Sequence, residues 1–308
     1  MNKIGVTTTT FAQFSNEPLI LFKSKGYDII INEKGQKLNE DETAEFIIDC
    51  DGVIAGTEIY SQTVFDKVSK LKVISRLGVG LDNINLHYAQ QRNIIIFKTK
   101  TSPALAVAEL TIGLIIDVMR NISQQNSNLK SGIWQKEMGC LLYGKTLGII
   151  GLGTIGKALV QISKGFHFNI LAFDNQADNT FAKENDVTYC DLRTLLKSSD
   201  IVAIHLNLSD QTKYIIDQNK IKLMKPNAIL INTSRGEIID ENALYEALKN
   251  NQLAGAGLDV FKNEPYNGQL TEIENVVLTP HIGGYAKELR IKMEIEAAQN
   301  LIKGLDNI

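Results

Sequence analysis

The chain has 308 residues, and its 32 Lys+Arg against 35 Asp+Glu leave a net charge of −3. That length suits about two domains, the charge argues against a nucleic-acid binder, and 44% hydrophobic residues with only 5 prolines argue against a disordered chain. Cys50, Cys140 and Cys190 are odd in number and far apart, so no disulfide framework and no metal pair is expected, and the expected compartment is reducing and cytoplasmic.

In chain order, residues 1–10 hold one Lys and a threonine run and do not read as a secretory signal. The first hundred residues give strands at 29–31, 52–55, 73–75 and 94–97, separated by helical segments at 17–25, 40–48, 61–68 and 85–91. Pro103 suits a first helical turn, and 104–120 reads as a long, mostly apolar helix, buried on most sides or joining two domains. Residues 121–144, polar and mixed around Trp134, read as a loop or lid-like excursion. From Lys145 on, short apolar runs at 146–150, 168–173, 187–190, 201–206, 228–232, 256–260 and 276–278 have the pattern of strands covered on both faces. Residues 286–304 close the chain as an amphipathic helix with Ile291, Ile295, Ala298 and Ile302 at helical spacing. No apolar run reaches the ~20 residues a membrane helix needs. Alternating strands and helices of this kind predict parallel α/β sheets.

Gly151, Gly153 and Gly156 fit G-x-G-x-x-G, with a strand before and a helix-forming stretch after. The first glycine allows a tight turn, the second lets backbone approach a pyrophosphate, and the third lets helix and strand pack. Asp174 follows the next strand, 21 positions after Gly153. An acid about 20 residues on bonds an adenosine ribose and repels a 2′-phosphate, so NAD is favoured over NADP.

Ligands of such sheets bind beyond the carboxyl ends of the strands. Four ionisable residues follow strands there: His205, Arg235, Glu264 and His281. Hydride transfer between NAD and a 2-hydroxy acid needs a planar cation for the carboxylate, a base that titrates near neutrality, and a carboxylate to fix that base's tautomer. Arg235, His281 and Glu264 can fill those roles. His205 is the rival base, and spacing alone does not choose between the two histidines. His281, between Pro280 and the pair Gly283–Gly284, has flanks that let backbone approach a ligand closely.

These residues resemble the D-isomer-specific 2-hydroxyacid dehydrogenases, a family that includes phosphoglycerate, glycerate, glyoxylate/hydroxypyruvate and D-lactate dehydrogenases. The resemblance runs through most of the chain. It is strongest at 224–240 (MKPNAILINTSRGEIID), at 257–261 (GLDVF) leading to Glu264 and Pro265, and at 279–284 (TPHIGG). Residues 76–84 (RLGVGLDNI) resemble the family's substrate-side loop, and 106–110 (AVAEL) its connecting helix. It implies two doubly wound parallel-sheet α/β domains with a cleft between them. One is a flavodoxin-like substrate domain of residues 1–100 and 284–308, and the other a Rossmann NAD domain of residues 101–283. Arg235, Glu264 and His281 become the catalytic set, with His281 as acid/base. Thr154 and Ile155 are placed at the pyrophosphate, Asp174 at the ribose, and Thr233 and Asp259 near the nicotinamide. His205, Leu206, Thr212 and Gly283 join the cofactor pocket. The backbone N–H groups of Val79 and Gly80, with Arg235, would hold the substrate carboxylate.

The implied activity is NAD-dependent hydride transfer between a D-2-hydroxy acid and its 2-oxo acid. 3-Phosphoglycerate is one candidate substrate, with hydroxypyruvate, glyoxylate and D-lactate as alternatives. An NAD-sensing binding protein like the family's transcriptional corepressors is the non-enzyme alternative. A homodimer is implied, with no metal, nucleic-acid or membrane partner. Some features depart from the family pattern. The chain has His205-Leu206-Asn207 where His-x-Pro is frequent, and Lys100 where Pro is frequent. It has no Arg or Lys between Ala55 and Phe65, where phosphoglycerate dehydrogenases often place cations, leaving Arg76, Lys98 and Lys100 as substitutes.

Overall fold

The computed structural model describes residues 1–307, which fall into two units: Met1–Pro103 with the chain from Tyr285 on, and Ala104–Gly284. The first unit runs β1 (Lys3–Val6), α1 (Glu17–Ser24), β2 (Asp28–Ile31), α2 (Glu40–Ile47), β3 (Gly52–Ala55), α3 (Gln62–Lys67), β4 (Val73–Arg76), α4 (Leu86–Gln91) and β5 (Ile95–Lys98), and ends with α12 (Lys287–Asp306). Its strands form one parallel sheet in the order β2-β1-β3-β4-β5. The inner strands β3 and β4 are buried along their whole length, whereas the edges β2 and β5 are partly exposed, as expected for a sheet sandwiched between helices.

The second unit runs α5 (Ala104–Arg120), α6 (Ile122–Lys130), β6 (Thr146–Ile150), α7 (Thr154–Ile162), β7 (Asn169–Phe173), α8 (Asn179–Glu184), β8 (Val187–Tyr189), α9 (Leu192–Ser198), β9 (Ile201–Ile204), α10 (Gln218–Ile221), β10 (Ile229–Asn232), α11 (Glu241–Lys249), β11 (Gly255–Leu258) and β12 (Val276–Leu278). These strands form a parallel sheet in the order β12-β11-β10-β9-β6-β7-β8. One apolar cluster, around Leu195, Leu230 and Leu244, covers one face, and a second, around Ile115, Leu147 and Ile231, covers the other. Each such Ile or Leu, fully buried, contributes about 1.5–3 kcal/mol. The chain order reverses at β6, which pairs with β7 on one side and β9 on the other. That reversal opens a crevice at the carboxyl ends of the strands.

Three local readings need correction. β1 gave no strand signal because only Ile4, Gly5 and Val6 precede the threonine run, yet it pairs with both β2 and β3. Residues 122–130, read as loop, form α6. No residue of this helix is buried, so it lacks the apolar stripe that marks a helix; its N-cap Asn121 makes no side-chain cap bond, and Ser123 N in its first turn donates instead to Asp117 Oδ1 of α5 at 2.7 Å. On α12 the buried stripe is Arg290, Met293, Glu294, Ala297, Ala298, Leu301, Gly304 and Leu305, which includes the expected Ala298 but none of Ile291, Ile295 and Ile302. The cause is close packing, since a Cβ on Gly304 would lie 2.7 Å from Val73. No helix among the described residues is long and apolar enough to cross a membrane.

Candidate active site

Because the seven-stranded sheet is parallel, every strand but β8 delivers a residue singled out above to the same edge. Gly151 follows β6 with φ +96°, a conformation open to glycine. A Cβ there would lie 2.6 Å from the His205 carbonyl oxygen, and one on Gly156 would lie 2.4 Å from Gly151 O. These two glycines therefore exist to let backbone segments touch. Gly153 differs, because nothing lies within 4 Å of its missing side chain. It is the N-cap of α7, whose first turn has no side-chain cap. Uncapped N–H groups beside open space suit a pyrophosphate. Thr154 is exposed and Ile155 partly so. Asp174, just past β7, is tied to the turn: Leu152 N donates to its Oδ2 at 2.8 Å and Gln176 N to its Oδ1 at 2.9 Å.

Asn232, buried at the end of β10, builds the next loop. Its Oδ1 accepts from Ser234 N (3.0 Å) and Ser234 Oγ (2.7 Å), while its Nδ2 donates to Arg235 O (2.8 Å). Arg235 Nη1 donates to Ser234 O at 2.8 Å. Gly236 then passes so close to the next loop that a Cβ would sit 2.0 Å from Phe261 C and 2.3 Å from Lys262 N. Those atoms are backbone and have no room to give, so only glycine brings the Arg235 turn against the segment leading to Glu264.

Glu264 and His281 meet directly. His281 Nδ1 lies 2.9 Å from Glu264 Oε2 and 3.1 Å from Oε1. Both are partly buried, with side-chain exposures of 33% and 19%. Glu264 Oε1 also accepts from Phe261 N at 3.2 Å. With Nδ1 turned to the carboxylate, Nε2 is the nitrogen left for chemistry. His281 itself has φ +55°, a strained setting for a residue with a Cβ.

Asp259 holds that setting. Its Oδ1 accepts from Thr279 Oγ1 (2.6 Å) and Ile282 N (2.8 Å), and its Oδ2 accepts from Gly283 N (2.8 Å). The histidine is thus pinned on both sides by one buried carboxylate. Burial pushes the Asp259 carboxyl above its ordinary value, opposed by these three donors.

His205 is a different kind of residue. Its Nε2 is shut off from solvent, although the residue as a whole keeps some exposure. Burial drives its pKa down to about 4. Leu206 packs by Gly151, with Cδ2 3.1 Å from that glycine's missing Cβ. Thr212 pins the turn behind it, donating to Asn207 O at 2.7 Å and accepting from Ser209 N at 2.8 Å.

In the first unit, Val79 and Gly80 lie in the loop after β4, with Val79 exposed. Arg76 at the end of β4 is buried and donates to Leu77 O and to Asn83 Oδ1. Sequence reasoning missed Asn232, Ser234 and Thr279 as supports. The only signal was a polar side chain of the turn-forming type at a strand end. Among the described residues no group of three or more His, Cys, Asp or Glu could hold a metal.

The family profile described as "D-isomer specific 2-hydroxyacid dehydrogenase, NAD binding domain" matches residues 112–283, more than half the chain. A glyoxylate reductase of Thermococcus litoralis is 41% identical over 256 residues, covering 80% of this chain and 77% of that protein. A D-3-phosphoglycerate dehydrogenase of Methanocaldococcus jannaschii is 41% identical over 257 residues, covering 82% of this chain but only 49% of that protein. The apo-structure of D-lactate dehydrogenase from Escherichia coli superposes with a TM-score of 0.86 at 28% identity, covering 100% of this chain and 97% of that one.

Proposed function

From a chain that belongs to the D-isomer-specific 2-hydroxyacid dehydrogenases, a family of NAD-dependent oxidoreductases, we propose a reductase that turns a small, unphosphorylated 2-oxo acid into its D-2-hydroxy acid. The observation that carries this reading is the His281–Glu264 pair, 2.9 Å apart on the sheet edge that also bears the glycine turn.

Bound NADH supplies the hydride. The chain's residues do the rest. Gly153, Thr154 and Ile155 hold the pyrophosphate on the turn that Gly151 and Gly156 shape, and Asp174 takes the ribose. His205, Leu206, Thr212, Thr233, Asp259 and Gly283 shape the remainder of the cofactor site. Arg235 grips the substrate carboxylate through a planar fork. In the first unit, the Val79 and Gly80 backbone N–H groups are the proposed carboxylate donors. His281 Nε2 gives its proton to the oxygen that becomes the hydroxyl, and in the reverse direction takes it back. Glu264 faces the imidazolium, fixes Nδ1 as its donor and stabilises the charge.

Glyoxylate or hydroxypyruvate is favoured over a phosphorylated substrate. No Arg or Lys lies between Ala55 and Phe65, and Arg76 is buried and already bonded within its own loop. NADH oxidation against glyoxylate, hydroxypyruvate, pyruvate, 3-phosphohydroxypyruvate and branched 2-oxo acids tests this. Glyoxylate or hydroxypyruvate should give the highest kcat/KM, and NADH should outperform NADPH by roughly tenfold or more, since Asp174 faces a 2′-phosphate. A preference for 3-phosphohydroxypyruvate overturns the substrate. Equal use of the two cofactors overturns the role of Asp174.

The chain is further proposed to work as a homodimer. Residues 122–143 expose Leu129, Ile133, Trp134, Met138 and Leu141, with Trp134 at 80% and Met138 at 95%. Apolar surface of this density on one short segment is a docking face, and the symmetric partner is a second copy. Light scattering should give twice the chain mass, and charge introduced by Trp134→Glu with Leu141→Glu should halve it. A monomeric parent protein overturns the proposal. The free cysteines suit a reducing cytoplasm, and recovery from an extracellular or periplasmic fraction would contradict that.

A further inference from the structure

His205 Nε2 is a buried nitrogen with no hydrogen-bond partner among the described residues. The other side of the ring meets a chain of hydroxyls. His205 Nδ1 lies 3.5 Å from Thr233 Oγ1, Thr233 Oγ1 lies 3.1 Å from Thr111 Oγ1, and Thr111 Oγ1 donates to Val107 O at 2.8 Å. All of these residues belong to the second unit.

The chain has a direction. Each hydroxyl has one proton. Thr111 gives its proton to the Val107 carbonyl, so toward Thr233 it accepts. Thr233 therefore donates to Thr111 and, toward the imidazole, also accepts. The ring nitrogen facing Thr233 must then be the one that carries hydrogen. The opposite tautomer would point two acceptors at each other and bury an N–H with no partner, which proteins tolerate less well than a bare acceptor. Burial also keeps the ring neutral at neutral pH, with a pKa of about 4, so Nε2 is bare rather than protonated.

The ring's place in the fold indicates what the bare nitrogen is for. His205 N donates to Ile150 O at 2.8 Å, and its carbonyl sits against Gly151. Thr233 precedes Arg235 by two residues on the adjoining strand end. The imidazole thus lies between the turn assigned to the pyrophosphate and the strand end assigned to the reacting group. Nε2 is closed to water and has no partner among the described residues, which leaves its lone pair for a donor that a bound ligand brings. The nicotinamide half of a dinucleotide carries such donors, a carboxamide N–H and ribose hydroxyls. We propose that Thr111, acting through Thr233, fixes His205 as its Nδ1–H tautomer and so makes Nε2 a hydrogen-bond acceptor for a donor on the nicotinamide half of NADH. Thr111, fully buried on α5, is a positioning residue, and nothing in its sequence context marks it. The proposal rests on the placement of His205 in the cofactor site.

The test is long-range 1H–15N NMR of the full chain labelled at its four histidines, alongside NADH titration by fluorescence. In the free wild-type protein, His205 should show a protonated Nδ1 and a bare Nε2, and saturation with NADH should move the Nε2 resonance in the sense of an accepted hydrogen bond. Thr111→Val should mix or invert the tautomers and weaken NADH binding by roughly three- to tenfold, the effect of one hydrogen bond. Thr111→Ser, which keeps the hydroxyl, should restore both. A protonated Nε2 in the free wild-type protein overturns the proposal whether or not the Val variant folds. NADH that binds without moving Nε2 overturns the acceptor role and leaves the cofactor site standing. No NADH binding at all sinks both.

Discussion

Replacing His281 by Ala lowers kcat by about 10³-fold, the usual contribution of a positioned acid/base, while NADH affinity stays within about twofold. The separation of the two effects follows from the backbone. Asp259 holds the loop through Ile282 N, Gly283 N and Thr279 Oγ1, none of which belongs to the His281 side chain. The loop therefore keeps its shape when the ring is removed, and only the proton carrier is lost. His205 is the control. With a pKa of about 4 it is a poor proton store at neutral pH, and its buried Nε2 is badly placed to exchange with substrate. His205→Gln should therefore keep turnover within about tenfold of the parent enzyme, the scale of one or two polar contacts. Steady-state kinetics with stopped NADH titrations checks both variants. If His281→Ala stays within tenfold and kcat/KM of the parent breaks near pH 4, the base is His205.

The candidate site residues stand out in the sequence more than the scaffold that holds them. Near-continuous apolar runs such as 201–204 and 229–232 announce buried parallel strands because both of their faces must be covered, and β9 and β10 are buried throughout. β1 escaped because only Ile4 and Val6 of its four residues carry large apolar side chains. α6 escaped because a helix with no buried face has no period to show. At the site, the ionisable residues stand out by type and by their place after strands. The residues that orient them do not. Asn232 looks like any turn former until its side chain is seen to bridge Ser234 and Arg235. Asp259 reads as one more acid, yet it becomes the anchor of a strained histidine twenty-two residues later. Such roles depend on which loops share a sheet edge, and strand order is not written in any local window. That Asp174 and His281 follow strands on opposite sides of β6 likewise appears only once the places of β7 and β12 in the sheet are known.

Arg235→Lys is expected to reduce kcat/KM by roughly 10- to 150-fold, the loss of a charge-assisted hydrogen bond worth about 1.5–3 kcal/mol. The charge survives this change, so a pure charge role predicts almost no effect. The structure instead prepares a plane. Asn232 and Ser234 fix the backbone on one side of Arg235, Gly236 wedges it against Phe261 and Lys262 on the other, and the Nη1–Ser234 O bond sets the guanidinium orientation. A lysine ammonium on the same backbone keeps attraction but loses the two parallel donors that align a carboxylate. The two losses separate in the kinetics. Weaker holding of substrate raises KM alone, whereas a substrate tilted away from His281 lowers kcat as well. Both parameters should therefore worsen for Lys, and Arg235→Met should be worse still. A lysine variant within threefold of the parent would mean that the carboxylate is gripped mainly by other donors.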